Sequence, residues 1–293
     1  MSKIKVFGVF GATSPTGNEV IHLLEKKGYQ VVAFSRSEKS ELDPRCTWVN
    51  LSSASSLEKN QTIIASITHV ISVAHIWSFN DILRPLTTCS LEKIVCISST
   101  SIFTKKDSPS VDDIALVNKL EQGEITAQKI CAEKNTDLTI LRPTIIYGHG
   151  TDRNIAEIMR LIRRFHFFPL LGKAEGMRQP IHLEDVSSAC VLAALSDQTK
   201  NKNYNITGSE TLSYKKMIEK IFLAIGKKPV FVHVPVFVIK FLISAIKKIP
   251  KYKNWDVEMA NRMNQDLVFD SQQAKNDFDF SPRGFVLKDR DVV

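Results

Sequence analysis

The sequence predicts an α/β fold, a doubly wound parallel sheet with a smaller, interleaved C-terminal part. Three observations carry that prediction. Over the first half of the chain, short apolar runs alternate with helical patterns, the rhythm of parallel strands covered by helices on both faces. The first apolar run ends in Val9-Phe10-Gly11-Ala-Thr-Ser-Pro-Thr-Gly17, where two glycines flank small hydroxyl residues before a helical pattern. Finally, 293 residues of which 43% are hydrophobic are enough to bury a large core.

The elements follow in order. Residues 5–10 read as the first strand. Residues 18–27 carry Val20, Ile21, Leu23 and Leu24 at helical spacing, and Gly28 stops that helix. Strands are expected at 30–35, 47–51, 69–74 and 93–98, a helix at 116–133, and a sixth strand at 137–142. Beyond Gly148 the rhythm loosens: 155–165 reads as a helix and 167–178 as a loop. A helix at 183–194 and a strand at 203–206 return to the sheet, so the two parts interleave. The expected division is 1–148 plus 181–207 for one domain and 149–180 plus 208–293 for the other. Pro235 and the pattern after it predict a helix over 236–249, with Lys240, Ser244 and Lys247 on one narrow face. That helix is too short and too charged to span a bilayer. Two readings stand for it: burial beneath the second domain, or a place in a membrane interface with Lys247, Lys248, Lys251 and Lys253 facing anionic head groups.

Composition removes several classes of function. The formal charge of +8 favours an anionic partner, but the basic residues read as spread along the chain, so nucleic acid is not expected. The five cysteines, Cys46, Cys89, Cys96, Cys131 and Cys190, form no CxxC pair, which argues against a disulfide framework or a zinc site and for a reducing cytoplasm. Lys3 and Lys5 precede an apolar run of only about six residues, short of a signal-peptide core. No His, Cys or carboxylate cluster has metal-ligand spacing, so no metal is expected. A Gly-x-Ser-x-Gly elbow is missing, which removes support for a hydrolase.

The glycine stretch carries the first positive signal. A helix that starts directly after a strand presents unpaired amides and the positive end of its dipole, a site for phosphate. Gly11-x-x-Ser14-x-x-Gly17 is a glycine fingerprint with its middle position changed to serine. Gly11, Thr13, Ser14, Pro15, Thr16 and Gly17 are therefore expected to cradle a pyrophosphate, as in a Rossmann sheet. The second strand ends Ala33-Phe34-Ser35-Arg36. An acid there holds a ribose diol, whereas Arg36 offers a fork of donors to a 2′-phosphate and Ser35 adds a hydroxyl, so NADP is favoured and NAD is the other option.

Several segments, in order, resemble the extended and atypical short-chain dehydrogenase/reductases, the NAD(P)-dependent epimerase/dehydratase family. They are Gly11 to Gly17, Ile97-Ser-Ser-Thr-Ser-Ile-Phe103, Leu141-Arg-Pro-Thr-Ile-Ile-Tyr-Gly148, Arg178-Gln-Pro-Ile-His-Leu-Glu-Asp185, Tyr204-Asn-Ile-Thr-Gly208 and Phe269-Asp-Ser-Gln-Gln-Ala274. The resemblance implies that Thr100, with Ser99 beside it, orients the substrate oxygen. It implies that Lys119 serves catalysis and binds the nicotinamide ribose, and that Ala74 and Pro143 line the coenzyme. The family's proton-moving tyrosine, four residues before the lysine, is Ala115 here, and none of the five tyrosines precedes a lysine by four. Three readings stay open: another group such as His75 or Tyr147 serves, water supplies the proton to an oriented substrate, or the protein binds NADP without turnover as a sensor or assembly subunit. The resemblance further implies that Arg178 grips a substrate diphosphate; His182 and Asp185, at the matching positions, read as structural, Asp185 capping or orienting a helix. Arg163 and Arg164 read as a solvated helix face that could add charge to the same cleft. The expected substrate is a nucleotide- or lipid-diphosphate-linked sugar, since the C-terminal half is similar to epimerases acting on polyprenyl-diphosphate sugars. The expected place is the cytoplasm, with peripheral contact at an anionic inner membrane face, and the oligomeric state is open.

Overall fold

The computed structural model of the chain describes residues 5–37, 46–152, 154–235 and 261–293. The helix expected over 236–249 lies outside the described residues. Strand β1 (Val6–Phe10) is buried along its whole length, as a central strand covered on both faces must be. Helix α1 (Pro15–Lys26) starts three residues earlier than the apolar pattern indicates. Ser14 caps it by accepting from the Gly17 amide at 3.0 Å, and Pro15 supplies the fixed φ of a first turn. Apolar periodicity registers only where a helix meets the core, so it misses this polar first turn.

The sheet continues through β2 (Gln30–Ser35), β3 (Cys46–Asn50), β4 (His69–Ser72), β5 (Lys93–Ile97) and β6 (Asp137–Pro143). Short helices α2 (Ala54–Lys59), α3 (Gln61–Ala65), α4 (Phe79–Leu83) and α5 (Ser101–Thr104) fill the connections. The long helix α6 (Val111–Glu133) begins five residues before its expected start. Beyond β7 (Ile146–Tyr147) come α7 (Ile155–Phe165), β8 (Phe168–Leu170), β9 (Met177–Arg178), β10 (Ile181–His182) and α8 (Leu183–Leu195). The chain closes with β11 (Lys202–Ile206), β12 (Leu212–Ser213), α9 (Tyr214–Ala224), β13 (Phe231–His233) and α10 (Gln272–Phe278).

Seven strands form one sheet in the order β11-β6-β5-β4-β1-β2-β3, and every pairing is parallel. The chain winds outward from β1 through β3, then crosses back to β4 on the other side of β1. That reversal opens a crevice above the carboxyl ends of β1 and β4. One buried cluster packs α1, α8 and Phe278 on one face of the sheet, and a second packs Leu120, Ala127 and Phe79 on the other. A third lies off the sheet and gathers Ile155, Met159, Ile162, Phe168, Ile218, Phe222 and Phe285.

The loop expected over 167–178 is corrected. It contains β8, which pairs in parallel with β13, and β9, which pairs antiparallel with β12. Strands of two or three residues leave no periodicity to read, and their partners lie far along the chain.

Candidate functional site

The glycine turn is built as its spacing requires. Gly11 sits at φ +73°, where a Cβ would lie 2.9 Å from the Ala74 amide nitrogen, so the turn lies directly against the end of β4. A Cβ on Gly17 would fall 2.2 Å from the Gly11 carbonyl oxygen. Ser14 Oγ donates to that carbonyl at 2.8 Å while it caps α1, so the serine that replaces the middle glycine ties the turn to the helix. Thr13 is exposed at the tip, and the Thr16 carbonyl accepts from Ser187 of α8 at 3.0 Å. The result is a bare backbone at a helix N-terminus beside the crevice, which fits a dinucleotide pyrophosphate. At the end of β2, Arg36 is exposed, and the Ser35 hydroxyl is buried and donates to the Ser37 carbonyl.

His75 follows β4 and Thr100 follows β5, two neighbouring strands of the sheet, and Lys119 lies on α6. Thr100 is buried, and its amide and its Oγ1 both donate to the Pro143 carbonyl at 3.1 Å. Half-buried Ser99 accepts from the Ser101 amide, which shapes the start of α5. His75, exposed after β4, stacks on Trp77 at 4.2 Å between ring centroids. The Lys119 ammonium, on the exposed face of α6, lies 6.0 Å from the Trp77 ring on an axis for cation–π attraction. Gly123 lets α6 approach so closely, since a Cβ there would meet the Trp77 amide nitrogen at 2.9 Å. Trp77 is the residue that sequence reading missed. Its only signal is a large aromatic just past a strand end.

Two acids on the inner stripe of α6 are also absent from the sequence-based expectations. Glu124 accepts from Ser98 at 2.6 Å and from Arg142 Nε at 2.9 Å, a buried network under the strand ends. Asp113, in the first turn, meets Lys105 at 2.7 Å and Arg262 at 2.6 Å. Burial pushes the Asp113 carboxyl up, but hydrogen bonds from Lys105, Arg262 and Ser108 outweigh it and hold it below its ordinary range. Arg262 thereby joins the C-terminal segment to α6 across the molecule.

Two expectations are corrected. Tyr147 is fully buried in the off-sheet core, where its hydroxyl sits 3.2 Å from the Val286 carbonyl and accepts from the Val286 amide at 3.3 Å. Burial pushes its phenol up to about 12, and it packs edge-on against Phe285, so it holds the 284–286 strip and moves no proton in the crevice. Arg178 is also buried, and its guanidinium donates to the carbonyls of Met177, Gln265 and Arg262. Those donors are spent on the backbone, and burial lowers its pKa to about 10. Arg178 therefore anchors the 262–265 segment in place of gripping a diphosphate. His182 and Asp185 hold structure as expected: His182 caps α8 and bonds Asp291 at 3.1 Å, and Asp185 pairs with Arg283 at 2.9 Å. Arg163 and Arg164 are exposed in the last turn of α7. The five cysteines are free thiols, and among the described residues no group of three or more His, Cys, Asp or Glu could hold a metal ion. No helix among the described residues is long and apolar enough to cross a membrane.

Comparison with known proteins agrees with this geometry. The profile of the NAD dependent epimerase/dehydratase family matches residues 8–207. The chain belongs to this family, which is a family of enzymes with a Rossmann-type sheet and a nicotinamide coenzyme. It is 23% identical over 176 residues to NADH dehydrogenase [ubiquinone] 1 alpha subcomplex subunit 9, mitochondrial, of Arabidopsis thaliana, covering 56% of this chain and 43% of that one. It is 21% identical to the 2-alkyl-3-oxoalkanoate reductase of Shewanella oneidensis, covering 96% of this chain and 83% of the other. The solved UDP-glucose 4-epimerase of Thermotoga maritima with UDP-glucose shares the fold at a TM-score of 0.64 and 16% identity, over 94% of this chain and 93% of that chain. Against three curated relatives the chain spans 34%, 43% and 62% of their length.

Proposed function

We propose that the chain binds NADP(H) in the crevice above β1 and β4 and acts as an oxidoreductase or epimerase on a sugar carried by a nucleotide or lipid diphosphate. The bare Gly11–Gly17 turn against Ala74 is the observation that carries the reading. When bound, the coenzyme supplies the acceptor or donor of hydride. Residues 1–148 with 181–207 form the coenzyme part in this reading, and 149–180 with 208–293 the substrate part. Gly11, Thr13, Ser14, Pro15, Thr16 and Gly17 would hold the pyrophosphate, Arg36 the 2′-phosphate, and Ala74 and Pro143 the walls, while Ser35, whose one proton goes to the Ser37 carbonyl, would shape the turn beside Arg36. Thr100 Oγ1 gives its proton to Pro143, which leaves its lone pairs to accept from a substrate hydroxyl and orient it. Lys119 and His75 flank Trp77 with a cation and a titratable ring, the two groups that take over the proton handling usually given to a tyrosine. The Thermotoga maritima neighbour is a UDP-glucose 4-epimerase solved with UDP-glucose, a sugar diphosphate, which supports the same class here. A reducing cytoplasm suits the five free thiols.

A second reading, coenzyme binding without turnover in a sensor or assembly subunit, is favoured by Ala115 at the family's tyrosine position and by the relative named as a subunit of NADH dehydrogenase. One experiment separates the two. NADPH and NADH affinities are measured by titration; the oxidised coenzyme complex is then given UDP-sugars, and the coenzyme absorbance and the stereochemistry of the sugar are followed together. NADPH is expected to bind more tightly, and Arg36→Ala to remove roughly 1.5 to 3 kcal/mol of that preference. Equal affinities in the unchanged chain overturn the NADP assignment. Tight binding with neither a coenzyme redox change nor conversion of any sugar diphosphate favours the second reading.

A further inference from the structure

Folding gathers positive charge that looks dispersed along the sequence. Residues 158–174 and 220–255 contain no Asp or Glu, yet they hold twelve of the 39 Lys and Arg, and in the rest of the chain acids outnumber bases. The described parts of these two stretches, which hold seven of the twelve, are joined directly. The Phe168 amide donates to the Val230 carbonyl at 2.9 Å, and β8 then pairs with β13 from Phe168↔Phe231 to Leu170↔His233.

Around this seam the side chains are both cationic and apolar. Phe165 is 49% exposed, Phe167 37%, Val230 48% and Val232 44%. Arg163 and Arg164 sit exposed beside them at the negative end of the α7 dipole, and Lys228 is exposed beside Val230. The Arg164 guanidinium lies 5.3 Å from the Phe165 ring, which keeps the aromatic and the cation together at the surface. Glu157 pairs with Arg160, Glu219 with Lys216 and Glu210 with Lys220, so the cations the seam presents are Arg163, Arg164 and Lys228.

We propose that this seam docks the protein on an anionic lipid surface, with Phe165, Phe167, Val230 and Val232 entering the headgroup layer and Arg163, Arg164 and Lys228 meeting lipid phosphates. Exposed valines have no use on a phosphodiester backbone, whereas in a membrane interface they add buried apolar area to the attraction of the cations. A twofold contact with a second copy would press one positive face on another. Residues 236–260 hold Lys240, Lys247, Lys248, Lys251 and Lys253, so as an occupant they would add positive charge to the seam. The inference goes beyond the proposed function and does not depend on it.

The test is sedimentation of the full chain with vesicles of phosphatidylcholine alone or mixed with phosphatidylglycerol, at low and high salt. The chain is expected in the pellet only with the mixed vesicles at low salt. Arg163→Gln with Arg164→Gln should weaken partition roughly thirtyfold, as expected for two cations near such a surface. Phe165→Ser with Phe167→Ser should weaken it as well, while unfolding temperature and coenzyme affinity stay unchanged in both pairs. A chain left wholly in the supernatant at low salt overturns the proposal. So does binding that neither pair alters, which would place the contact elsewhere, including residues 236–260. Self-association that Arg163→Gln with Arg164→Gln abolishes, or single-stranded RNA binding that competes with vesicles at equal strength, assigns the seam to another occupant and also overturns it.

Discussion

Gly17 shows how much one residue type decides. Its Cβ space is taken by the Gly11 carbonyl, so Gly17→Ala must push the turn away from α1. We expect that substitution to abolish coenzyme binding and to cost about 2 kcal/mol of stability, read by titration and by chemical unfolding. Thr100 and Lys119 act at different points. Thr100→Val should lower turnover with little change in coenzyme affinity, whereas Lys119→Met should weaken coenzyme binding too, and an unchanged affinity in the latter would remove Lys119 from the site. The glycine turn is legible in the sequence because the hydrogen bonds that shape it, from Ser14 to the Gly11 carbonyl and from the Gly17 amide to Ser14, fall within a few consecutive residues. Tyr147 and Arg178 are not, because position along a strand says nothing about which distant carbonyls meet the side chain.

At the scale of an element, α6 is the informative case. Its buried stripe runs Asp113, Val117, Leu120, Glu124, Ala127 and Cys131, a regular spacing of three and four that the two acids hide from an apolar pattern search. Each acid is buried because a cation from elsewhere meets it: Arg262 for Asp113 and Arg142 for Glu124. Glu124→Ala strands the Arg142 charge and should cost about 3 kcal/mol in denaturant unfolding. Glu124→Leu combined with Arg142→Met should recover much of that loss, since an apolar pair needs no compensation. A cost in the double variant equal to that of Glu124→Ala would contradict the charge argument. The helix start at Val111 was invisible for the same reason, because its first turn faces cations and not the core.

At the scale of the whole molecule, acid stability reports on the buried edge of the sheet opposite the crevice. His69 is buried at the start of β4, and burial first, then the charge of Lys5, lowers its pKa from 6.5 to about 4. The folded chain therefore holds His69 neutral while the unfolded chain takes up a proton as pH drops below about 6.5. Stability should be level above that pH and fall between about 6.5 and 4. Asp113, Glu184 and Asp291 start from 3.8 or 4.5 and are held lower, so their losses come at more acid pH. Unfolding temperature measured across this range should fall in the unchanged chain and stay flatter in His69→Gln. The sequence by itself determined the parallel sheet, the glycine turn, the arginine after β2 and the family, because each rests on residues adjacent in the chain or on a local period. Only the tertiary structure decided that Arg178 anchors the 262–265 segment, that Tyr147 holds the 284–286 strip, and that two acid-free stretches meet at one seam. Those outcomes depend on partners 60 or more residues away, which folding, and not local propensity, brings into contact.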